Sequence, residues 1–459
     1  MFKFFSNRMR VAELLKQHFG TQLIRDLVST SRAYPLTARV DLQTALERFF
    51  GALPDSRLVG IQVDRMFGIS GLGLAMLTDE TQDGVKVGPL VYDDVDVGRA
   101  ATVRCLTCGL WLARERAITF MALLTFTQEG FQTTGIRLDF ATPPSEAGAE
   151  LTSRFFDEIE RLMSESSAYR GKIISLDKVD EYSGRVAGVR VHRLDAVPRE
   201  EVVLPEQTLA LLDRNVSEFV KLRERLTQLG MAAKKGLLFY GPPGTGKTHT
   251  IRYLAGRLEG HTTLLVTAEQ IGLLDHYFQL ARFLQPAMFV IEDVDLIARR
   301  REDLRSGCDE ALLNKLLNQM DGLREDAAIL FVLTTNHPEQ IEAALASRPG
   351  RVDQAIEFPL PDEAGRKKLA RLYARGLHVT DELLDLVVRK TKGASGAFIK
   401  EMMRRAAQHL LASSGAESPL TRIHIEGAIE EMVLSGGSLN LKLLGIGKDE
   451  WIGFRPTSG

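Results

Sequence analysis

The sequence is poor in cysteine, shows no excess of either charge and has no long hydrophobic run near its beginning. Three cysteines in 459 residues are too few, and odd in number, for a disulfide framework, so we expect a reducing compartment. A formal net charge of −2 gives no overall basic field of the kind that attracts nucleic acids. The most apolar early stretch, residues 66–77, contains three glycines and is too short to span a bilayer. We therefore expect a cytoplasmic protein without a signal peptide or membrane anchor.

Hydrophobic patterning divides the chain into four regions. Residues 1–195 begin with helical periodicity and continue with short apolar runs separated by Gly, Asp and Pro, which predicts an α+β domain. In residues 196–360 apolar strands alternate with helices, which predicts an α/β domain whose parallel sheet is covered on both faces. Residues 361–436 have a wholly helical pattern and predict a small helical lid, and residues 437–459 form a Gly-rich tail.

The strongest local motif is the glycine-rich segment GPPGTGKT at residues 241–248, which follows a predicted strand and opens a predicted helix. Its glycines allow backbone N–H groups to turn inward around phosphates, and the helix N-terminus adds partial positive charge. Lys247 is expected to reach the β- and γ-phosphates of ATP, and the Thr248 hydroxyl is expected to ligate Mg²⁺. The predicted nucleotide-binding residues are Gly241, Pro242, Pro243, Gly244, Thr245, Gly246, Lys247, Thr248 and His249.

Two later strands end in polar residues that suit hydrolysis of a bound nucleotide. The apolar run that begins at Met288 ends in Glu292 and Asp293, and carboxylates there are costly unless they face a cation. Glu292 is therefore predicted to ligate Mg²⁺, and Asp293 to orient the attacking water. Asn336 ends the run AILFVLTTN. An Asn in this position is also a common turn residue, but the order of the motifs favours a place beside the nucleotide.

Two arginines surround a Pro-Gly turn after these strands. Arg348 and Arg351 could place their guanidinium groups on the γ-phosphate of a neighbouring subunit, where they would stabilise transition-state charge. Considered in isolation, such arginines are more commonly surface residues.

Together these motifs resemble those of AAA-family ATPases over about residues 202–433, roughly half of the chain. The resemblance rests on the P-loop, the acidic strand, the strand that ends in Asn336, the segment LASRPGRVD and the lid-helix start KGASGAFIKEMMRRA. It implies that Lys247 and Thr248 bind phosphate and Mg²⁺, that Asn336 senses the γ-phosphate, and that both arginines act across a subunit interface. Shared active sites in turn imply a homo-oligomeric ring, usually a hexamer.

Two departures from the family pattern narrow this expectation. Most members end the acidic strand Asp-Glu, whereas this chain has Glu292-Asp293; either the site is rebuilt around Asp293 or turnover is slow, and the otherwise full motif set favours the first. Threading members carry an aromatic pore loop before that strand, which the shorter segment 266–286 lacks. The nearby Tyr277 and Phe278 are predicted to be core residues. Both departures resemble the mitochondrial AAA translocases that deliver the folded Rieske protein, although this sequence has no predicted membrane span and a different N-terminal domain.

We expect an ATP-hydrolysing ring that remodels or moves a protein substrate recognised by residues 1–195. An alternative is an ATP-regulated assembly switch without threading, which the missing pore-loop aromatic favours. A nucleic-acid motor is a weaker alternative that would use the arginines at residues 299–301 and 305. A solvated helix end explains those arginines more simply.

The sequence gives little support for a zinc site. Cys105 and Cys108 have the spacing of half a zinc site, but no second such pair follows, and in a strand their sulfurs would point to opposite faces. They are predicted to be two buried thiols. The sequence also contains no HExxH motif, which excludes a fused zinc metalloprotease of that type.

Overall fold

The computed structural model describes residues 9–20, 26–63, 72–78, 85–98, 102–129, 132–165, 168–176, 188–299, 309–339, 352–413 and 418–432. The chain divides into two compact units, the first ending at His192 and the second beginning at Arg193, with residues 171–173 assigned to the second. This division lies close to the boundary expected at residue 195, and the finer division of the second unit stays a prediction. Within the described residues, no helix has both the length and the apolarity needed to cross a membrane.

The first unit combines helices with an antiparallel sheet. Its helices are α1 (Val11–Phe19), α2 (Arg39–Gly51), α3 (Leu74–Thr78) and α4 (Glu146–Glu165). Its strands are β1 (Val28–Tyr34), β2 (Ser56–Val63), β3 (Val85–Gly88), β4 (Val91–Val95), β5 (Val103–Glu115), β6 (Ile118–Glu129) and β7 (Gln132–Thr142). Two short strands outside its sheet, β8 (Ile173–Leu176) and β9 (Val189–His192), come next in the chain. The sheet has the order β1-β7-β6-β5-β2-β3, with β4 paired to β5.

Helices cover both faces of this sheet. Leu110 and Leu112 of β5 pack in a buried cluster with α1 and α3, whereas Trp111 stacks on Phe50 of α2. Phe155 of α4 joins the same aromatic group through Phe50. Because successive strand residues point to opposite faces, the two layers of helices explain why β5 and β6 are apolar almost throughout.

The two cysteines of β5 are buried, as predicted. Cys108 belongs to the cluster beneath α1 and α3, and Cys105 lies near Arg39 at the start of α2. Burial raises the pKa of the Cys105 thiol to about 11 and that of Cys108 to about 12. Protonated, buried thiols on opposite faces cannot share one metal ion.

The second unit contains a parallel sheet between helices. Its strands are β10 (Lys235–Tyr240), β11 (Thr262–Val266), β12 (Ala287–Ile291), β13 (Ile329–Thr335) and β14 (Gln354–Glu357), in the order β14-β10-β13-β12-β11. Its helices are α5 (Glu206–Leu212), α6 (Phe219–Gln228), α7 (Lys247–Arg257), α8 (Leu274–Phe283), α9 (Val294–Arg299) and α10 (Asp309–Asp321). Every residue of β12 and β13 is buried, as expected for strands covered on both faces.

The described chain continues into a helical lid, as predicted. The lid consists of α11 (Glu363–Tyr373), α12 (Asp381–Lys390), α13 (Gly396–Ser413) and α14 (Arg422–Glu430) around one apolar cluster. Two helix starts are capped by side chains, because Asp362 accepts the Gly365 N–H and Thr380 accepts the Leu383 N–H. The second unit is therefore an α/β P-loop NTPase module followed by helices.

Candidate nucleotide site

The P-loop joins the end of β10 to the start of α7, and its glycines are required by the backbone. Gly241, Gly244 and Gly246 have φ angles of 143°, 76° and 101°, which side chains disfavour. A Cβ atom on Gly241 would lie 2.3 Å from the carbonyl oxygen of Phe358, and one on Gly244 would lie 2.8 Å from Cβ of Ala397. The loop is thus held tightly against both the sheet and the lid.

Replacing Gly241 by alanine is expected to destabilise the protein by about 1–3 kcal/mol, because the new Cβ meets a backbone carbonyl in a strained conformation. Thermal unfolding of nucleotide-free protein measures the effect. Gly272→Ala is the matched control, since open space surrounds that position and its φ is not positive; we expect a change within about 0.5 kcal/mol. Equal effects of the two substitutions would contradict the steric argument.

Lys247 lies in the loop with its ammonium group held by backbone carbonyls. Its Nζ donates to the carbonyl oxygens of Gly241 at 2.7 Å and Pro242 at 2.9 Å, and the side chain is buried. Desolvation lowers the pKa of Lys247 to about 8, although the carboxylates of Asp293 and Asp295 oppose this shift. An incoming phosphate would therefore replace two carbonyl partners, and its charge would stabilise the protonated amine.

The two residues predicted to hold Mg²⁺ are in contact. The Thr248 hydroxyl, at the start of α7, donates to Oε1 of Glu292 at 2.7 Å, and Glu292 follows directly after β12. This hydroxyl and carboxylate fit Mg²⁺, which takes oxygen ligands and completes its shell with phosphates and water. When bound, Mg²⁺ would neutralise charge on the β- and γ-phosphates.

Asp293 and Asn336 are brought together at the ends of β12 and β13. The Asn336 Nδ2 donates to Oδ1 of Asp293 at 3.0 Å, and the Asp293 N–H donates to the Thr334 hydroxyl at 2.9 Å. Asp293 has a φ of 51°, which is unusual for a residue other than glycine. Desolvation, followed by the nearby Asp295 carboxylate, raises the pKa of Asp293. The end of β13 thus holds Asp293 beside the P-loop, through one hydrogen bond to its carboxylate and one to its backbone.

A third carboxylate, Asp295, supports this arrangement from within the protein. It is buried, and its Oδ1 accepts the Thr335 hydroxyl at 2.8 Å and the Asn336 backbone N–H at 3.1 Å. Its place in the acidic run was visible in the sequence, but its burial and partners were not. It ties the start of α9 to the end of β13 and so helps to position the Asn336 amide.

These groups open on a cavity of about 390 Å³. The predicted residues that line it are Pro243, Gly244, Thr245, Gly246, Lys247, Thr248, His249, Asp293 and Asn336. Gly241, Pro242 and Glu292 are joined to it through the hydrogen bonds of Lys247 and Thr248. Arg348 and Arg351 lie outside the described residues, as do the side chains of the arginine run at 299–301 and 305.

Another part of the cavity wall comes from residues to which the sequence analysis assigns no role. Val202, Val203, Leu204, Leu369, Tyr373 and Lys400 line it. Most of these side chains are apolar, which suits the flat ring system of a nucleotide base. The hydrophobicity of the apolar members was visible in the sequence, but it did not distinguish them from core residues.

The segment between β11 and β12 is a short 3₁₀ helix followed by α8 rather than a long loop. Thr267 and Gln270 make a reciprocal cap on the short 3₁₀ helix Ala268–Leu273. The Tyr277 hydroxyl donates to Oε1 of Gln270 at 3.1 Å and to the carbonyl oxygen of Leu265 at 3.0 Å. Tyr277 and Phe278 are fully buried, so the prediction that they are core residues is confirmed.

Sequence comparison with known proteins agrees with the geometry. Residues 237–360 match the family described as "ATPase family associated with various cellular activities (AAA)". Similar proteins include an ATP-dependent zinc metalloprotease FtsH from Thermus thermophilus, 31% identical over 50% of this chain and 38% of the relative. A proteasome-activating nucleotidase from Methanothermobacter thermautotrophicus is 31% identical over 48% of this chain and 57% of the relative. A Cell division cycle protein 48 homolog from Archaeoglobus fulgidus is 30% identical over 47% and 30% of the two chains.

The chain therefore spans between about a third and just over half of the length of these relatives. The matched region contains the P-loop, Glu292, Asp293 and Asn336, and its cavity has the lining described above. Residues 237–360 thus belong to the AAA family and form an ATPase domain.

Proposed function

We propose that this chain binds Mg²⁺ and ATP in the cavity above the P-loop and hydrolyses ATP there. The observation that carries the proposal is the convergence of three contacts on one cavity: Lys247 in the P-loop, Thr248 with Glu292, and Asp293 with Asn336. In this proposal Lys247 binds the β- and γ-phosphates, Asp293 orients the attacking water, and Asn336 reports the γ-phosphate.

The proposal extends to a homo-oligomeric ring, with a hexamer as its expected size, that remodels or translocates a protein substrate. Arg348 and Arg351 would complete each site from the neighbouring subunit, and residues 1–195 would recognise the substrate. The support is similarity to a proteasome-activating nucleotidase and to an ATP-dependent protease. This chain contains no HExxH motif, so proteolysis of the zinc-dependent type is not part of the proposal.

The capped 3₁₀ helix between β11 and β12 favours two functions other than threading of an unfolded chain. It occupies the place where threading ATPases would present an aromatic loop, and its Tyr277 is committed to the core. This supports movement of folded cargo, as in the Rieske-protein translocases, or an assembly switch that does not thread. The Glu292-Asp293 order is the second feature that supports the translocase likeness.

An unfolding assay separates these functions. A fluorescent protein with an unstructured terminal tag is mixed with this protein and Mg-ATP, and fluorescence is followed while sedimentation reports assembly. From the missing aromatic loop we expect ATP-dependent assembly with fluorescence retained. Loss of fluorescence that requires ATP, and is absent in Lys247→Ala, would instead establish threading. If the protein neither assembles nor unfolds the substrate in the presence of ATP, the ring proposal is overturned.

A further inference from the structure

A lysine of the lid lines the nucleotide cavity, and no described carboxylate pairs with it. Lys400 lies on α13 three residues after Ala397 and four after Gly396, and all three line the cavity. Residues at this spacing share one face of a helix. The same face also contacts the P-loop, because the Ala397 N–H donates to the Gly244 carbonyl oxygen at 3.1 Å.

Charged residues near Lys400 form ion pairs, whereas Lys400 forms none with the described residues. Arg404 and Arg405, one turn further along α13, both pair with Glu401. Glu201 in the cavity wall is paired with Arg375 at 2.7 Å. Across the described part of the chain we find no ion pair of Lys400, whose Nζ lies 6.0 Å from the centre of the Tyr373 ring.

The location of His249 shows which part of a bound nucleotide would lie near Lys400. Lys247 and Thr248 mark the β- and γ-phosphate end, and His249 comes next in α7. His249 hydrogen-bonds to the backbone of Glu201, which begins the apolar wall. Lys400 lines the cavity together with His249 and Glu201. Lys400 therefore lies beside the junction between the phosphate and base ends of the cavity.

We propose that Lys400 binds the α-phosphate of the nucleotide and so fixes the lid helix α13 to every adenine nucleotide, whatever its phosphate number. This inference rests on the proposed binding of ATP in the cavity. A cation at the junction contacts the part that ATP, ADP and AMP have in common. Hydrolysis of the γ-phosphate would then leave the lid attached, and only departure of the nucleotide would release it.

The test is the affinity of Lys400→Met for ATP, ADP and AMP, with adenosine as the uncharged reference, measured by calorimetry and by competition. Methionine keeps the length of the side chain and removes its charge. We expect binding of all three phosphorylated nucleotides to weaken by the same factor, about tenfold, because one charge-assisted contact is lost. Adenosine binding should not change, and Lys400→Arg should retain most of the affinity.

The matched control is Lys390→Met, which removes an exposed lysine at the end of α12 and should alter no affinity. Loss of ATP affinity alone would indicate a γ-phosphate contact and overturn the proposal. An equal loss for adenosine would indicate a packing role and also overturn it, as would unchanged affinities throughout. If the unaltered protein binds none of these nucleotides, the proposed ATP function itself fails, so the two failures are distinguishable.

Discussion

The Lys247→Ala variant is expected to bind Mg-ATP at least about a hundredfold more weakly than the unaltered protein and to release no measurable phosphate. A buried ammonium group makes strong charge-assisted hydrogen bonds to phosphate, and a hundredfold loss corresponds to about 2.7 kcal/mol. Lys247 is buried at the start of α7, where backbone N–H groups also point at the ligand. Calorimetry and a phosphate-release assay measure the two effects.

The substitution has a second consequence in the nucleotide-free protein. Lys247 links the carbonyl oxygens of Gly241 and Pro242, so alanine leaves both oxygens without this donor and loosens the loop. Lys221→Ala, which removes an exposed lysine of α6, is the control and should leave affinity and turnover unchanged. ATP affinity within threefold of the unaltered protein would remove Lys247 from the proposed site.

The Asp293→Asn variant is expected to bind ATP normally and to lose turnover by about 10²–10³-fold. Asparagine keeps the size of the side chain but cannot accept a proton from the attacking water, and general-base catalysis contributes an effect of about this size. Asp293 accepts a hydrogen bond from the Asn336 amide and donates its backbone N–H to the Thr334 hydroxyl. Asparagine can keep both contacts, so the loop should keep its shape. Steady-state phosphate release and ATP binding, measured on the same preparation, separate kcat from affinity.

A longer carboxylate at the same position tests the reversed order of the acidic pair. Asp293→Glu keeps the charge but moves the carboxylate by about a bond length, and an error of ~1 Å can cost ~10²-fold in rate. Asp326→Asn, on an exposed turn, is the control without expected effect. Unchanged kcat in Asp293→Asn would show that another group orients the water. Faster turnover in Asp293→Glu would show that the site is not rebuilt around the shorter side chain.

The fold of the second unit was predictable because its physical cause is local. Strands β12 and β13 are buried throughout, so each appears in the sequence as an uninterrupted apolar run with a helix after it. The first unit was less predictable, although its α+β character was expected. Apolar runs such as β5 and β6 do not show which strands pair with each other or in what order they lie. Helices on both faces bury nearly every residue of such a strand, so its sequence is apolar whichever strands lie beside it.

The phosphate side of the site was predictable and the base side was not. The P-loop, Glu292 and Asn336 follow directly after strands, and the carboxyl ends of parallel strands meet at one edge of a sheet. Tyr373 and Lys400 line the same cavity from lid helices far along the chain. Helical periodicity alone does not show which residues of a helix will line a ligand cavity. The positive φ of Asp293 was equally hidden, because it accompanies a hydrogen bond that the Asp293 N–H donates to Thr334 of another strand.

The two layers of helices on the first unit restrict how it can meet another molecule. A β-sheet with a bare face offers a broad platform, but here the sheet interior is sealed by α1 and α3 on one side and by α2 and α4 on the other. Among the described residues, the accessible parts are the outer surfaces of those helices, the connecting turns and the strands β1 and β4, most of whose residues are exposed. If this unit recognises a cargo, as proposed, we expect contact along an edge or at a small area, and selection among cargoes would change with turn sequences more readily than with the packed interior.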